Sequence, residues 1–258
     1  MAEMKRIVID AGHGGAEPGA VYNERKEKDD NLRLALAVGQ ILADDGFDVA
    51  YTRVTDIYNT PFEKAMIANH ADADYFLSLH RNAMPVPGTA SGVETLVYED
   101  SGIAGAMAKN INARLEKAGF TNLGVQERPG LIVLRHTRMP AVLVETGFLD
   151  NDIDNRLFDE QFDAIAAAIA AGVVDTLREE ERPPEYYQIQ VGLYRNRENA
   201  EKQANTLRSQ GFPAFIVYKD GNYSVRVGAF LNLDNAARTE QLLHNYGYAT
   251  YMLQEAAQ

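Results

Sequence analysis

The first 177 residues alternate between short apolar runs and longer amphipathic runs, and this alternation constrains the fold more than any other feature. The short runs have the length of strands, whereas the longer runs carry apolar residues at helical spacing. Strands that alternate with helices favour an α/β fold, in which a mostly parallel sheet is flanked by helices. In such sheets, ligands bind beyond the carboxyl ends of the strands.

The same patterns assign elements and domain limits. Strands are predicted at Arg6–Asp10, Asp48–Thr52, Tyr75–His80, Gly92–Tyr98, Leu131–Leu134 and Ala141–Glu145. Helices are predicted at Asn31–Asp44, Pro61–His70, Ile103–Ala118 and Gln161–Leu177. The run REEERPPE follows, and its charges and two prolines are typical of a linker. We therefore expect one domain at 1–178, a linker at 179–184 and a second domain at 185–258.

The second region contains an internal repeat with a period of 36 residues. Tyr187 recurs as Tyr223 and Gly211 as Gly247, and the matching pairs between them keep the same offset without a gap. Each copy has the pattern strand, helix, strand. Two such βαβ repeats predict a small α+β domain, with a four-stranded sheet and both helices on one face. The uncovered face would then be free to bind a ligand.

Composition excludes several classes of site and partner. The 258 residues contain no cysteine, so disulfides and thiolate metal ligands are excluded, and a metal would need His, Asp or Glu. Residues 1–180 contain 29 acidic and 17 basic residues, whereas residues 181–258 contain eight of each. Neither part has the basic excess of a nucleic-acid binder, so we expect no nucleic-acid partner.

The chain has no apolar run long enough to span a membrane, so we expect no membrane insertion. Its first residues, MAEMKR, lead directly into IVIDAGHGG and lack the longer apolar core of a secretion signal. Two expectations follow. Either the protein is made in the cytoplasm and released by lysis, or a signal has been removed from this sequence.

Two histidines follow predicted strands and are expected at the carboxyl edge of the sheet. They are His13 in AGHGG and His80 in LSLHRN. A catalytic zinc site with one open position needs a third protein ligand. The acidic candidates are Glu24, Glu27, Asp29 and Asp30. Glu145 ends the apolar run AVLVE at the same edge, and the residues alone leave open whether it is a catalytic acid/base or the third ligand.

Residues 5–177 resemble the zinc-dependent N-acetylmuramoyl-L-alanine amidases, the amidase 3 family. The resemblance rests on IVIDAGHGGAEPGA, EKDDNL, SLHRNA and AVLVETGFLDN, together with Thr52-Arg53 and Gly92-Val93-Glu94. It implies an amidase 3-like fold and hydrolysis of the amide bond between N-acetylmuramic acid and L-alanine. Bacterial peptidoglycan is then the partner and the cell wall is the place of action. One Zn²⁺ per chain is the implied cofactor.

The resemblance also implies roles for individual residues. The implied zinc ligands are His13, Glu27 and His80, and the implied catalytic residue is Glu145. Zinc would polarise the scissile carbonyl and lower the pKa of its bound water. Glu145 would take a proton from that water and deliver it to the leaving amine of L-alanine. Asn82 and Arg53 are predicted substrate-binding residues.

Two features of this sequence are compared with the pattern of the amidase 3 family: the residue after His80 and the length of the segment that follows it. Arg81 stands where small or apolar residues are common, and its positive charge beside the second histidine has no assigned role. In some relatives, an inserted helix blocks the cleft until an activator binds. Here only Ala83–Gly102 separates the second histidine motif from the next long helix, so we expect no such block and constitutive activity.

Residues 185–254 resemble the SPOR (sporulation-related repeat) domain, through QVGLY and RVGAF at the end of each first strand. That family binds glycan strands stripped of their peptide stems, which are the product of an amidase. The resemblance therefore implies denuded glycan strands as a partner of this domain. Four aromatic residues are predicted on its glycan-binding face: Tyr187, Tyr194, Tyr223 and Phe230.

Other functions compete with this interpretation. A zinc peptidase of another stem bond would share the metal, and a wall-binding protein without activity would share the domains. A glycosidase would need paired carboxylates and would leave both histidine motifs unexplained. The sequence leaves open whether the protein serves sporulation, phage lysis as an endolysin, or wall turnover as an exported autolysin.

Overall fold

The computed structural model describes residues 4–181 and 185–256 of the chain. The chain divides into two compact units, Met1–Glu180 and Glu181–Gln258. No helix within the described residues is long and apolar enough to cross a membrane.

The first unit alternates strands and helices, as the sequence predicts. Its strands are β1 (Arg6–Ala11), β2 (Val21–Tyr22), β3 (Arg25–Lys26), β4 (Asp48–Tyr51), β5 (Tyr75–Asn82), β6 (Val93–Val97), β7 (Asn122–Glu127) and β8 (Ala141–Phe148). Its helices are α1 (Glu27–Asp44), α2 (Pro61–His70), α3 (Gly102–Lys117), α4 (Ile132–Arg135), α5 (Asp152–Glu160) and α6 (Phe162–Glu181).

Six of these strands form one sheet in the order β4-β1-β5-β8-β6-β7. The neighbouring strands β4, β1, β5 and β8 are parallel, whereas β6 runs antiparallel to β8 and parallel to β7. The mostly parallel sheet is therefore confirmed. Because β1, β5 and β8 are adjacent and parallel, their carboxyl ends lie side by side at one edge.

Both faces of the sheet are covered. Ile7 and Ile9 of β1 belong to a core shared with α1, α3 and α6, whereas Val8 between them belongs to a second core shared with α2 and α4. This alternation is the two-residue period of a strand. Burial on both faces explains the uninterrupted apolar runs IVI in β1, YFL in β5 and AVLV in β8.

Several local assignments differ from the structure, and helix α5 and the short strands β2 and β3 have no predicted counterpart. The segment predicted as a strand at Leu131–Leu134 forms helix α4, which starts after the turn at Pro129-Gly130. A four-residue apolar run has too few positions to distinguish a strand from a helical turn. Strand β7 was not predicted, because it is an edge strand of half-buried residues without clear alternation. Helix α1 starts at Glu27 rather than Asn31, and its first turn is acidic.

The last helix of the first unit, α6, extends to Glu181 and so includes the first residues of the predicted linker. The charged residues REEE are compatible with a helix as well as with a linker, so composition alone does not predict the residue at which α6 ends. The remainder of that linker, 182–184, lies outside the described residues.

The second unit has the predicted two copies of strand, helix and strand. The first copy comprises β9 (Glu185–Tyr194), α7 (Arg197–Ser209) and β10 (Ala214–Lys219). The second copy comprises β11 (Asn222–Phe230), α8 (Leu233–Asn245) and β12 (Tyr251–Ala256). The side chains of Asn196 and Asn232, 36 residues apart, each accept a hydrogen bond from the first turn of the helix that follows. The repeat therefore includes the helix starts.

The four strands form an antiparallel sheet in the order β10-β11-β9-β12. Ala200, Ala204 and Leu207 of α7 and Leu243 of α8 share one core with Ile189, Val225 and Val227. Both helices thus cover the same face, and the predicted α+β arrangement is confirmed.

The predicted positions of the aromatic residues are wrong. Tyr194, Tyr223 and Phe230 pack against the core beneath the helices. Tyr187 is two residues from Ile189, so it lies on the same face of β9. A change of one residue in register exchanges the two faces of a strand, and two bulges interrupt the pairing of β11 with β9. The sequence did not fix which residues face away from the helices.

Candidate active site

Three potential metal ligands meet at the edge formed by the carboxyl ends of β1 and β5. His13 follows β1 in a left-handed backbone conformation, with φ of 61°. Glu27 is the first residue of α1, and His80 lies near the end of β5. One nitrogen of each histidine and one oxygen of Glu27 all lie within 4.8 Å of one another. The structure therefore brings together the three residues predicted as ligands.

The carboxylate of Glu27 lies between the two imidazoles. Its Oε2 is 2.9 Å from Nε2 of His13, and its Oε1 is 2.9 Å from Nδ1 of His80. Backbone N–H groups of Ala20 and Arg81 donate to the same carboxylate, at 2.9 and 3.1 Å. Glu27 is buried, so these contacts replace the water that its charge would otherwise require.

His13 and Glu27 favour each other's charged forms. Burial alone would raise the pKa of Glu27, but the hydrogen bonds with His13 and His80 hold that pKa far below its usual range. Burial opposes protonation of His13, yet its contacts with Glu27 and Glu17 raise the pKa of His13. The cluster thus has a carboxylate that stays ionised, as a metal ligand must be.

This donor set fits a catalytic zinc ion. Two imidazole nitrogens and one carboxylate oxygen are a known three-ligand zinc set that leaves one position open. The surroundings are closely fitted around these donors. A Cβ at Gly12 would lie 2.4 Å from the His80 ring, and a Cβ at Gly19 would lie 2.5 Å from Oε2 of Glu27. Only glycine at these two positions leaves room for the ligand side chains.

Glu145 lies beside this cluster on β8. It is the direct partner of His80 in the parallel pairing of β5 with β8, and of Glu94 in the antiparallel pairing of β8 with β6. Its Oε2 is inaccessible to solvent and has no hydrogen-bond partner among the described residues. Burial raises the pKa of Glu145 to about 7; the nearby histidines oppose this rise, and the carboxylates of Glu27 and Glu94 add to it.

A pocket of about 380 Å³ adjoins the two histidines. Its other polar lining includes Asn59 and Lys64. Its apolar wall is formed by Tyr58, Leu131, Ile132, Val133 and Leu143. The segment that was predicted as a strand and forms α4 therefore provides much of the wall nearest the candidate metal site.

The other acidic candidates are not placed to bind the metal. Glu24 and Asp29 are exposed, and Asp30 pairs with Arg25 and Arg81. Glu27 was chosen over them from the resemblance alone. The structure explains this choice, because Glu27 is the only one of the four acidic candidates that lies in one cluster with both histidines.

The predicted substrate contact of Arg53 does not fit the structure. Its guanidinium is buried and donates to the carbonyl oxygens of Ala11, Gly12, Lys28 and Thr55. Arg53 therefore braces the loop that carries His13. Asn82 is partly buried and donates from Nδ2 to Oε1 of Glu94, at 2.8 Å. Its contact with substrate stays a prediction.

Sequence reasoning missed two groups beside the cluster. Glu17 accepts a hydrogen bond from Nδ1 of His13, and a carboxylate in this position orients a metal-binding imidazole. Asp10, buried under the cluster, accepts from Nζ of Lys64 at 2.9 Å and from the hydroxyl of Ser78 at 2.7 Å. The acid four residues after His13 was visible in the sequence, whereas the contact of Asp10 with Lys64 depends on tertiary packing.

Comparison with known proteins identifies the family. The sequence model of Amidase_3, described as N-acetylmuramoyl-L-alanine amidase, matches residues 7–175. N-acetylmuramoyl-L-alanine amidase CwlM of Bacillus licheniformis is 33% identical over 84% of this chain and 86% of its own length. The sporulation-specific N-acetylmuramoyl-L-alanine amidase of Bacillus subtilis strain 168 is 31% identical with the same coverage. The chain belongs to the Amidase_3 family.

A solved structure supports the fold of the amidase. The catalytic domain of CwlV, an N-acetylmuramoyl-L-alanine amidase from Bacillus (Paenibacillus) polymyxa var. colistinus, is 34% identical with a TM-score of 0.63. The match covers 68% of this chain and 99% of that one. The SPOR domain model matches residues 183–252. The predicted class is confirmed: the amidase hydrolyses the bond between N-acetylmuramic acid and L-alanine, and its C-terminal domain is wall-binding.

The raised pKa of Glu145 predicts a pH-dependent effect of Glu145→Gln on the stability of the metal-free amidase. Because the pKa of Glu145 is higher in the folded state than in the unfolded state, its contribution to the free energy of unfolding falls as pH rises from about 4.5 to about 7. Above pH 7, the neutral Gln variant should therefore be more stable than the wild type by about 1–3 kcal/mol. Urea unfolding with chelator present at pH 8 and pH 5 measures this, and an equal difference at both pH values contradicts it.

Proposed function

We propose that the amidase is zinc-dependent, that His13, Glu27 and His80 hold the ion, and that Glu145 is the catalytic acid/base. One observation carries the assignment. Glu145 is paired with His80 across adjacent strands, so a carboxylate with a raised pKa lies directly beside the three-ligand cluster.

The chemistry follows from this arrangement. A zinc ion held there supplies Lewis-acid polarisation of the scissile carbonyl and lowers the pKa of a water molecule. Glu145 accepts the proton of the attacking water on its carboxylate and donates it to the leaving amine of L-alanine. A pKa near 7 suits both steps, because the group can hold and release a proton at neutral pH. Glu17 holds the His13 imidazole, and Asn82 positions the substrate.

The alternative functions have less support. A zinc peptidase would use the same ligands, but the relatives matched over most of this chain are described as amidases. A wall-binding protein without activity would lack a ligand or the acid/base, whereas all four positions are filled. The interval Ala83–Ser101 contains strand β6 and no helix, which supports the expected constitutive activity.

Metal binding distinguishes Glu27 from Glu24, an acidic candidate three residues earlier in the chain. Glu27→Gln should reduce zinc content from about one ion per chain to near zero, because one of three ligands is lost. Glu24→Gln should keep full zinc content, since Glu24 is exposed and outside the cluster. Elemental analysis of the purified variants measures both, and zinc retention by Glu27→Gln would refute the assignment.

The reaction is tested by digestion of purified peptidoglycan with the full chain. New L-alanine amino termini are expected, lost with chelator and restored by zinc. Glu145→Gln should keep its zinc and lose activity by a factor of about 100 or more. Loss of zinc in that variant would make Glu145 a ligand instead. New termini on another amino acid would favour the peptidase, and new reducing sugars alone would favour the glycosidase.

For the C-terminal domain, we propose that the sheet face opposite the helices binds denuded glycan strands. Its centre is a polar network in which Arg226 donates to Gln188 at 2.9 Å and to Glu255 at 2.6 Å, while Ser224 donates to Gln190 at 2.8 Å. The charge of Arg226 is thus compensated by Glu255, so this network contributes polar groups rather than a net charge to the face. Tyr251 is opposite Gln190 on this side and is 64% exposed.

Tyr251 and Tyr246 provide a matched test of this face. Tyr251→Ala should weaken binding to denuded glycan strands about tenfold, because an exposed ring that can stack on a sugar is removed. Tyr246→Ala is the control, since Tyr246 is similarly exposed but makes an edge-to-face contact with Phe212 on the helix side. Co-sedimentation of catalytically inactive full-length chain with denuded strands measures both. Loss of binding only in Tyr246→Ala would place the glycan on the other face.

The proposed place of action is the bacterial cell wall. The relatives include a sporulation-specific amidase and an endolysin of Bacillus phage SPP1, so sporulation and phage lysis both remain compatible with this chain.

A further inference from the structure

Arg81 is the largest fully buried side chain of the described residues, and no step of the reaction uses it. It directly follows the ligand His80, yet its side chain turns away from the metal cluster into the protein. Burial of a guanidinium is costly unless its donors are paired. The hydrogen-bond partners of Arg81 therefore indicate which elements of the fold its side chain holds together.

These partners lie on the three elements that carry the functional groups. Nη1 donates to Oδ2 of Asp30 on α1 at 2.8 Å, one turn after Glu27. Nε donates to the carbonyl of Thr146 on β8 at 3.1 Å, immediately after Glu145. The backbone N–H of Arg81, on β5, donates to the carboxylate of Glu27. The guanidinium also stacks on the ring of Phe158, with its carbon 4.3 Å from the ring centre.

We propose that Arg81 is a positioning residue that fixes the zinc ligands relative to the catalytic acid/base Glu145. This inference rests on the proposed metal site. Among the described residues, the Arg81 side chain is the only one that hydrogen-bonds both to the first turn of α1 and to the end of β8. Without it, Glu27 would still contact His80, but its position relative to Glu145 would be less tightly fixed. A displacement of about 1 Å in an active site reduces the rate by a factor on the order of 100.

Arg25 provides an internal control. Its Nε donates to the same Oδ2 of Asp30, at 2.6 Å, and its guanidinium lies 5.3 Å from the same Phe158 ring. It differs from Arg81 because its other partner is Asp159, and it donates to no β8 carbonyl. Arg25→Met therefore removes an arginine from Asp30 and leaves the connection to β8 intact.

The test measures zinc affinity by chelator competition, kcat and KM with excess zinc, and the melting temperature of the zinc-free chain. Arg81→Met should weaken zinc affinity about tenfold or more. It should also lower kcat about 100-fold at nearly unchanged KM. Arg25→Met should stay within about twofold of the wild type in zinc affinity and kcat. Arg81→Lys keeps the charge but lacks the fork of donors, so an intermediate loss is expected.

Three outcomes would overturn the proposal. Wild-type zinc affinity and kcat in Arg81→Met, with only a lower melting temperature, would make Arg81 a core brace. Equal losses in Arg25→Met and Arg81→Met would assign the effect to Asp30 alone. If Arg81→Met does not fold, wild-type values in Arg81→Lys would decide against positioning. Failure of the unchanged chain to bind zinc would instead refute the proposed metal site.

Discussion

The hydrogen bonds between one buried carboxylate and two imidazoles organise the catalytic unit. Glu27 stands at the start of α1, where the helix dipole favours its charge, and it reaches both histidines from there. Each histidine follows the apolar core of a different parallel strand, so the contact depends on β1 and β5 being adjacent. The sheet order therefore determines whether this three-residue cluster can form.

The same small volume holds two glutamates with opposite behaviour. Hydrogen bonds keep Glu27 ionised, whereas burial without a partner raises the pKa of Glu145 to about 7. The difference arises from neighbouring groups, since the residue type is identical. Carboxylates whose pKa values are separated in this way can take different roles, which in the proposed mechanism are metal ligand for Glu27 and proton carrier for Glu145. The fold thus assigns chemistry to these residues through their hydrogen-bond partners.

Sequence patterns predicted those parts of the structure that depend on long periodicity. The helix at Pro61–His70 has the predicted bounds, and the strand ends carrying His80 and Glu145 were predicted to meet at one edge. Features that depend on tertiary contact were not accessible. The short apolar run at Leu131–Leu134 forms α4 rather than a strand. The Arg53 guanidinium donates its hydrogen bonds to backbone carbonyls, and the aromatic residues of the second unit face the core. In each case neighbours distant in sequence decide the outcome.

The strand order of the second unit has a consequence for its assembly. Strand β9 pairs with β11 and β12, and β10 pairs with β11, so no strand pairs with another strand of its own copy. The two copies are interleaved in the manner of an exchanged dimer whose subunits have been joined into one polypeptide. Neither copy can therefore form any strand pair of this sheet by itself, and during synthesis β9 has no partner strand until β11 has been made.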